Sequence, residues 1–172
     1  WLLSNPDGRV VTRDLAANPV PHLTTERFQA FLTAPEDRSV EQVAYAHESD
    51  DLIAELENAD IVVIGVPMYN FGIPSTLKAW IDHVARVGKT FKYTENGPVG
   101  LLADRPVLLF AARGGMYRNT PRDTQSAYMT HFLNFIGIRD IQFVYAEGLA
   151  MGGDSRRKSL EMAAQTIDKI AA

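Results

Sequence analysis

The feature that most constrains this chain is the run Ile61-Val62-Val63-Ile64-Gly65-Val66, closed at once by Pro67. It is β-branched almost throughout and no polar residue alternates through it, the pattern of a parallel strand covered by helices on both faces. Proline cannot donate to a sheet ladder, so pairing should stop at Pro67 and Met68-Tyr69-Asn70-Phe71 should form a loop at the strand's carboxyl end. Gly72, Pro74 and Ser75 supply turn chemistry and a helix cap. Leu77, Trp80, Ile81, Val84 and Ala85 then recur at helical spacing, so the helix packs that face onto the sheet.

A second unit of the same kind follows. Val107-Leu108-Leu109-Phe110-Ala111-Ala112 reads as a parallel strand ending in Arg113-Gly114-Gly115, where two glycines permit positive φ and close approach of backbone N–H groups to a ligand. Thr124 to Phe135 is helical, with Gly137 as its C-cap. Ile141 to Ala146 is the last strand, and a final helix capped by Asp154 or Ser155 turns Leu160, Ala163, Ala164, Ile167 and Ile170 toward the sheet. Strands alternating with helices predict an α/β fold, an open, doubly wound, mostly parallel sheet of flavodoxin-like type with helices on both faces. Residues 1–172 read as one domain, a size that buries roughly 70% of the surface of the unfolded chain.

The rest of the chain is less regular. Arg9 to Leu15 alternates enough for an edge strand after the turn signal Asn5-Pro6-Asp7-Gly8, and Asn18 to His22 is too proline-rich for regular structure. Thr24 to Leu32 predicts a short helix with Phe28, Phe31 and Leu32 on one side, the two phenylalanines favouring the core. Ser39 to Asn58 predicts a helix opened by the capping box Ser39-x-x-Gln42, with Val43, Leu52, Ile53 and Leu56 inward. Lys89 to Thr94 is strand-like and Glu95-Asn96-Gly97-Pro98 is a sharp turn, a hairpin or excursion over the ligand cleft. Met116 to Asp123 is a polar loop that reads as mobile.

In open α/β sheets ligands sit in the crevice at the strands' carboxyl ends, so Met68 to Phe71 and Ala112 to Gly115 are the candidate binding loops. A flavin fits their chemistry: Met68, Tyr69 and Phe71 offer apolar walls and Asn70 a polar handle, although the same residues could merely cover the sheet end. The absence of cysteine excludes disulfides, thiolate nucleophiles and cysteine-ligated metals, leaving redox chemistry to a bound cofactor. His22, His47, His83 and His131 show no metal-ligand spacing, and the acidic run Glu48, Asp50, Asp51, Glu55, Glu57 reads as a solvated helix face. The basic run Arg156-Arg157-Lys158 reads likewise as solvated. A net charge of −4 with well-mixed signs gives no footprint for nucleic acid or an anionic membrane. No apolar run reaches the roughly 20 residues of a membrane span, so the expected compartment is the cytoplasm.

The string PMYNFGIPSTLKAWIDHVARVGKTFKYTENGPVGLL, with ARGG at Ala112–Gly115 and FLNFIGI at Phe132–Ile138, resembles the FMN-dependent NADH:quinone oxidoreductases, also called FMN-dependent azoreductases. The resemblance runs from about Val11 to the C-terminus. It implies a homodimer in which FMN takes hydride from NADH or NADPH and passes two electrons to a small-molecule quinone or azo compound. By the same resemblance Met68–Phe71 and Ala112–Gly115 hold the isoalloxazine ring, Tyr93 lines the pocket, and Phe135 either reaches a neighbouring subunit's site or packs in the core. Tyr117 stands where some members carry His, and Ala112 where many carry Ser. The family's opening strand, Ser-rich phosphate loop and helix have no counterpart in this sequence, which starts at Trp1 without a methionine; the expectation is that this segment lies upstream. The competing reading is a flavodoxin-type electron carrier without small-molecule turnover, which normally shows a strongly acidic face. A phosphodiesterase acting on acyl carrier protein finds no nucleophile or metal cluster here.

Overall fold

A computed structural model describes residues 7–171. In chain order the elements are α1 (Thr25–Leu32), a single 3-10 turn (Pro35–Asp37), α2 (Val40–Glu57), β1 (Val62–Gly65), α3 (Ser75–Val84), β2 (Phe91–Thr94), β3 (Gly97–Gly100), β4 (Val107–Ala112), α4 (Thr124–Ile136), β5 (Ile141–Ala146) and α5 (Gly153–Ala171). The three parallel strands lie in the order β1-β4-β5, and β2 with β3 forms a separate antiparallel hairpin.

The register sorts the sheet's residues between its two faces. Val62 and Ile64 of β1, Val107 and Leu109 of β4, and Ile141 and Phe143 of β5 share one face. On it α2, α3 and α4 deposit Leu52, Leu56, Leu77, Trp80, Ile81, Val84, Met129, Phe132, Leu133 and Ile136, forming the core. Each such fully buried side chain contributes about 1.5–3 kcal/mol through area removed from water. Val63, Leu108 and Val144 share the opposite face, where α5 packs on β5.

That second face corrects one expectation. The apolar run of β1 predicts cover on both sides, yet Val63 is 61% exposed, because α5 lies over β5 and no described element covers β1 there. The inward face predicted for α5 is also too broad: Ala163 is buried, whereas Leu160 and Ile167 are exposed. On α2 the capping box forms as predicted, with Ser39 Oγ accepting from the Gln42 N–H and Gln42 Oε1 accepting from the Ser39 N–H. Leu52, Ile53 and Leu56 are buried, but Val43 is exposed. Phe31 is buried as expected and Phe28 is 46% exposed.

Two further expectations fail locally. Arg9 to Leu15 forms no strand; Asp14 Oδ1 accepts from the Ala16 and Ala17 N–H groups, an Asx turn that closes the stretch. The turn predicted from Asn5 lies partly outside the described residues. The cap of α3 is Pro74, without a side-chain hydrogen bond, and Ser75 is already the first helical residue. The hairpin and the end of α4 form as predicted. Gly97 (φ 102) closes the two-residue turn Glu95-Asn96, and Gly137 (φ 112) caps α4. Gly100 lies so close to Gly137 that a Cβ on it would sit 2.1 Å from the Gly137 nitrogen, which seats the hairpin directly on the end of α4.

Candidate functional site

The parallel pairing of β1 with β4 makes their carboxyl-end loops neighbours, since Val66 N–H donates to Phe110 O at 2.8 Å and Met68 N–H to Ala112 O at 3.0 Å. The two predicted binding loops therefore open on the same edge of the sheet. They solve the problem of presenting backbone there in different ways.

The first loop is a tight turn. Tyr69 N–H donates to Gly72 O at 3.0 Å and Gly72 N–H returns to Tyr69 O at 2.9 Å. The two central residues are left-handed, Asn70 at φ 49 and Phe71 at φ 68. That is the type I′ pattern, which normally takes Asn-Gly, and here a phenylalanine occupies the glycine position. A bulky residue held there costs on the order of 1–3 kcal/mol and persists where the surroundings impose it. The imposing groups come from the first turn of α4. Gln125 Nε2 donates to Pro67 O and to Gly72 O, both at 3.0 Å, and Thr124 Oγ1 donates to Phe71 O. Tyr69, Asn70 and Phe71 consequently point out of the fold, with Tyr69 63% and Phe71 50% exposed, while Met68 is half-buried.

The second loop is built on glycine and a buried cation. Neither Gly114 nor Gly115 has positive φ, which corrects the sequence reading of why they are there. A Cβ on Gly115 would lie 2.7 Å from Tyr117 Oη, so that glycine makes room for the tyrosine ring. A Cβ on Gly114 would meet nothing closer than Ala150 Cβ at 3.4 Å, so the fold itself leaves that position open. The Arg113 side chain runs the other way, fully buried, with Nη2 donating to Asp123 Oδ1 at 2.7 Å and Ser126 Oγ at 3.0 Å and Nη1 to Glu147 Oε1 at 3.1 Å. Its guanidinium also lies 5.1 Å from the centre of the Tyr145 ring. Burial works against the Arg113 charge, but the hydrogen bonds and charges of Asp123 and Glu147 outweigh it and hold the group above its ordinary value. Burial would likewise raise the Asp123 carboxyl, yet Arg113 and the Ser126 N–H and hydroxyl hold it below the usual carboxylate range.

Glu147, at the end of β5, ties the following loop as well. Its Oε1 accepts from Tyr117 N–H at 2.8 Å and Arg118 N–H at 2.9 Å. Together with the bonds Thr120 N–H to Tyr117 O and Asp123 N–H to Thr120 O, both 3.0 Å, this fixes the stretch Met116–Asp123 that the sequence suggests is mobile. Tyr117 stands edge-on to Phe71, ring centres 5.7 Å apart, and so joins the two loops across the gap.

Among the described residues, the N–H groups of Asn70, Phe71, Gly114 and Gly115 donate to no protein acceptor. Four unused donors on two adjacent strand ends, beside exposed aromatic rings and a glycine whose Cβ the fold would tolerate, fit a planar ligand with acceptor atoms along its rim. Tyr93 and Phe135 are joined through Phe91. Phe91 packs on both, 5.5 Å from Tyr93 and 4.2 Å from Phe135 between centres, and Tyr93 is 71% exposed. Among the described residues no aromatic pair joins that cluster to Tyr69, Phe71 or Tyr117.

Sequence reasoning misses the supports of this site. Arg113 registers only as part of a glycine-rich loop, and Asp123, Gln125, Ser126 and Glu147 not at all. The available signal is a charged residue placed immediately after each of two buried strands, Arg113 after β4 and Glu147 after β5. His83 is buried with Nε2–H donating to Pro21 O at 3.0 Å, and no described cluster of acidic and histidine side chains could hold a metal ion. No described helix is long and apolar enough to cross a membrane.

A family model described as flavodoxin-like fold matches residues 2–171. The FMN-dependent NADH:quinone oxidoreductase of Cellvibrio japonicus is 60% identical over 152 residues, which are 88% of this chain and 76% of that protein. Among solved structures, an azoreductase from Bacillus anthracis superposes with a TM-score of 0.89 at 30% identity, covering 99% of this chain and 84% of the other. An FMN-dependent NADH-azoreductase from Bacillus anthracis, solved in complex with FMN, gives a TM-score of 0.80 at 28% identity over 93% of this chain and 80% of that one. Two strand ends that leave backbone donors unpaired beside aromatic walls, on a parallel sheet of this order, agree with that likeness, and the chain belongs to the flavodoxin-like family of FMN-dependent NADH:quinone oxidoreductases.

Proposed function

We propose that this protein is an FMN-dependent oxidoreductase that uses NADH to reduce quinones and aromatic azo compounds, with FMN held between the turn Tyr69–Gly72 and the loop Ala112–Gly115. The observation that carries this reading is the set of four unpaired N–H groups, on Asn70, Phe71, Gly114 and Gly115, at adjacent ends of β1 and β4. FMN bound there supplies the redox chemistry, accepting a hydride equivalent from a reduced nicotinamide and delivering two electrons to the acceptor.

The protein's own part is positional and electrostatic. The four N–H groups would hold the ring by its polar rim and offset negative charge on it, fixed in advance by the turn and by the Arg113 network. Met68, Tyr69 and Phe71 would wall it, and Tyr117, braced on Phe71, would close one side of the substrate opening. Gly114, without a side chain, would let the ring approach the backbone.

The aromatic group Phe91, Tyr93 and Phe135 would bind planar substrates, with Phe135 acting on a second copy of the chain in a homodimer. That arrangement suits a cluster exposed through Tyr93 and lacking an aromatic partner in the loops of its own site. The expected partners are therefore small molecules and a second copy, with neither nucleic acid nor membrane, and the expected compartment is the cytoplasm. Residues 1–172 would act as one FMN-binding domain. The electron-carrier alternative is not favoured, because a protein named as an NADH:quinone oxidoreductase is 60% identical.

The test is direct. Purified protein supplemented with FMN should show a bound-flavin absorbance that NADH bleaches and benzoquinone restores. A protein that cannot be loaded with FMN would refute the reading, and bleaching without recovery by any quinone would favour the carrier.

A further inference from the structure

One side chain near this site that departs from ordinary packing rules is Gln125. It is 1% exposed, its Oε1 has no hydrogen-bond partner, and both of its amide protons go to carbonyls of one short segment. A buried amide with an unmet acceptor carries a desolvation cost that its donated bonds must offset, so it is not there as core filler. What the two bonds do accomplish is specific. Pro67 O lies two residues before the Tyr69–Gly72 turn and Gly72 O on its last residue, so a single planar NH2 group joining them ties the end of the turn back to the strand that enters it.

The same helical turn holds the opposite loop. Asp123 and Ser126, flanking Thr124 and Gln125, bind the Arg113 guanidinium from β4. The first turn of α4 is thus a common brace, reaching β1's loop through Thr124 and Gln125 and β4's loop through Asp123 and Ser126. We infer that Gln125 is a positioning residue that sets the spacing of the Asn70 and Phe71 N–H donors relative to those of Gly114 and Gly115. It thereby tunes the affinity and potential of FMN without touching it. The inference rests on the FMN reading above; the mechanical half of it does not.

Two variants test it. Gln125→Met keeps the volume and removes both donors, and Thr124→Val removes the neighbouring tie from an exposed position that cannot threaten the core. Arg105→Met is the control, since Arg105 binds the carbonyls of Glu57 at 2.9 Å and Ala59 at 2.8 Å, at the other end of the sheet. In FMN-free protein, amide exchange of the 67–73 segment should speed up at least tenfold in Gln125→Met and Thr124→Val and remain unchanged in Arg105→Met. In FMN-loaded protein, the dissociation constant should rise about tenfold in Gln125→Met, with a more negative midpoint potential and a shifted visible spectrum. Loss of melting temperature alone, matched by the control, would mean that Gln125 is only structural. Unchanged exchange in the first experiment overturns the brace. Faster exchange with unaltered FMN affinity, potential and spectrum overturns its role in tuning the cofactor. Wild-type protein that fails to take up FMN refutes the functional proposal, while the exchange result still decides the brace.

Discussion

The ends of β1 and β4 are neighbours doing one job by opposite means. At β1 the backbone is forced into a left-handed turn with bulky residues, which throws Tyr69 and Phe71 outward as walls and leaves strain to be held by α4. At β4 glycines leave the backbone bare without strain, and the only large side chain, Arg113, is withdrawn and neutralised by Asp123 and Glu147. One loop offers surface and the other offers access. A flat ligand that needs a wall on one side and close backbone contact on the other would use both, as the proposed FMN site does.

The largest effect should come from breaking the buried support of the glycine loop. Arg113→Met strands two mostly buried carboxylates and should cost about 3–5 kcal/mol, read by chemical denaturation. That loss should depend on pH in a defined direction. Asp123 titrates lower in the folded protein than in the unfolded chain, so its contribution is fully present above the unfolded carboxylate value of about 3.9 and disappears as pH falls through the folded one. The gap between Arg113→Met and wild type should therefore be widest near neutrality and narrow below about pH 4. A gap independent of pH would show that the pair does not carry the energy.

Next in size is a change that should spare the fold and damage only binding. Gly114→Ala needs no positive φ and its Cβ meets only Ala150 Cβ at 3.4 Å, so stability should change by less than about 1 kcal/mol while FMN affinity falls several-fold. At the strained end the sign should reverse. Phe71→Gly relieves the left-handed penalty and should hold or raise stability by up to about 1 kcal/mol, yet weaken FMN binding by removing a wall. Equal responses at both ends would erase the contrast drawn between them. The smallest effect should be Asn70→Ala, which removes the polar handle and, at φ 49, a residue suited to the left-handed turn; NADH oxidation should slow about tenfold or less. An unchanged rate would remove Asn70's side chain from the site.

The parts of this molecule legible in its sequence are those with local causes. α4 is bounded by Gly137 and the hairpin by Asn96-Gly97, each a residue whose backbone preferences act within a few positions, whereas β1 ends at Gly65 and Met68 N–H, beyond Pro67, still donates to Ala112 O. Pairing β1 with β4 then follows from two apolar runs linked through a helix, and it brings the candidate loops together. What stayed hidden depends on partners. Arg9 to Leu15 alternates like a strand, but alternation cannot reveal whether a neighbouring strand is present. Val43, Leu160 and Ile167 keep helical spacing, yet how wide a face is covered depends on what packs against it. Glycines 114 and 115 lack the positive φ that the sequence suggests and supply room instead, because room and conformation look identical in a sequence. Gln125 and Glu147 reach carbonyl and cationic partners 34 to 58 positions away, and no local pattern marks such a tie.

The central claim is that both strand ends close on one FMN, and amide exchange of wild-type protein with and without FMN tests it most directly. Protection should appear together, at equal FMN concentration, in the segments containing Asn70–Phe71 and Gly114–Gly115. Protection confined to one of them, or confined to the Tyr93 hairpin, would contradict it.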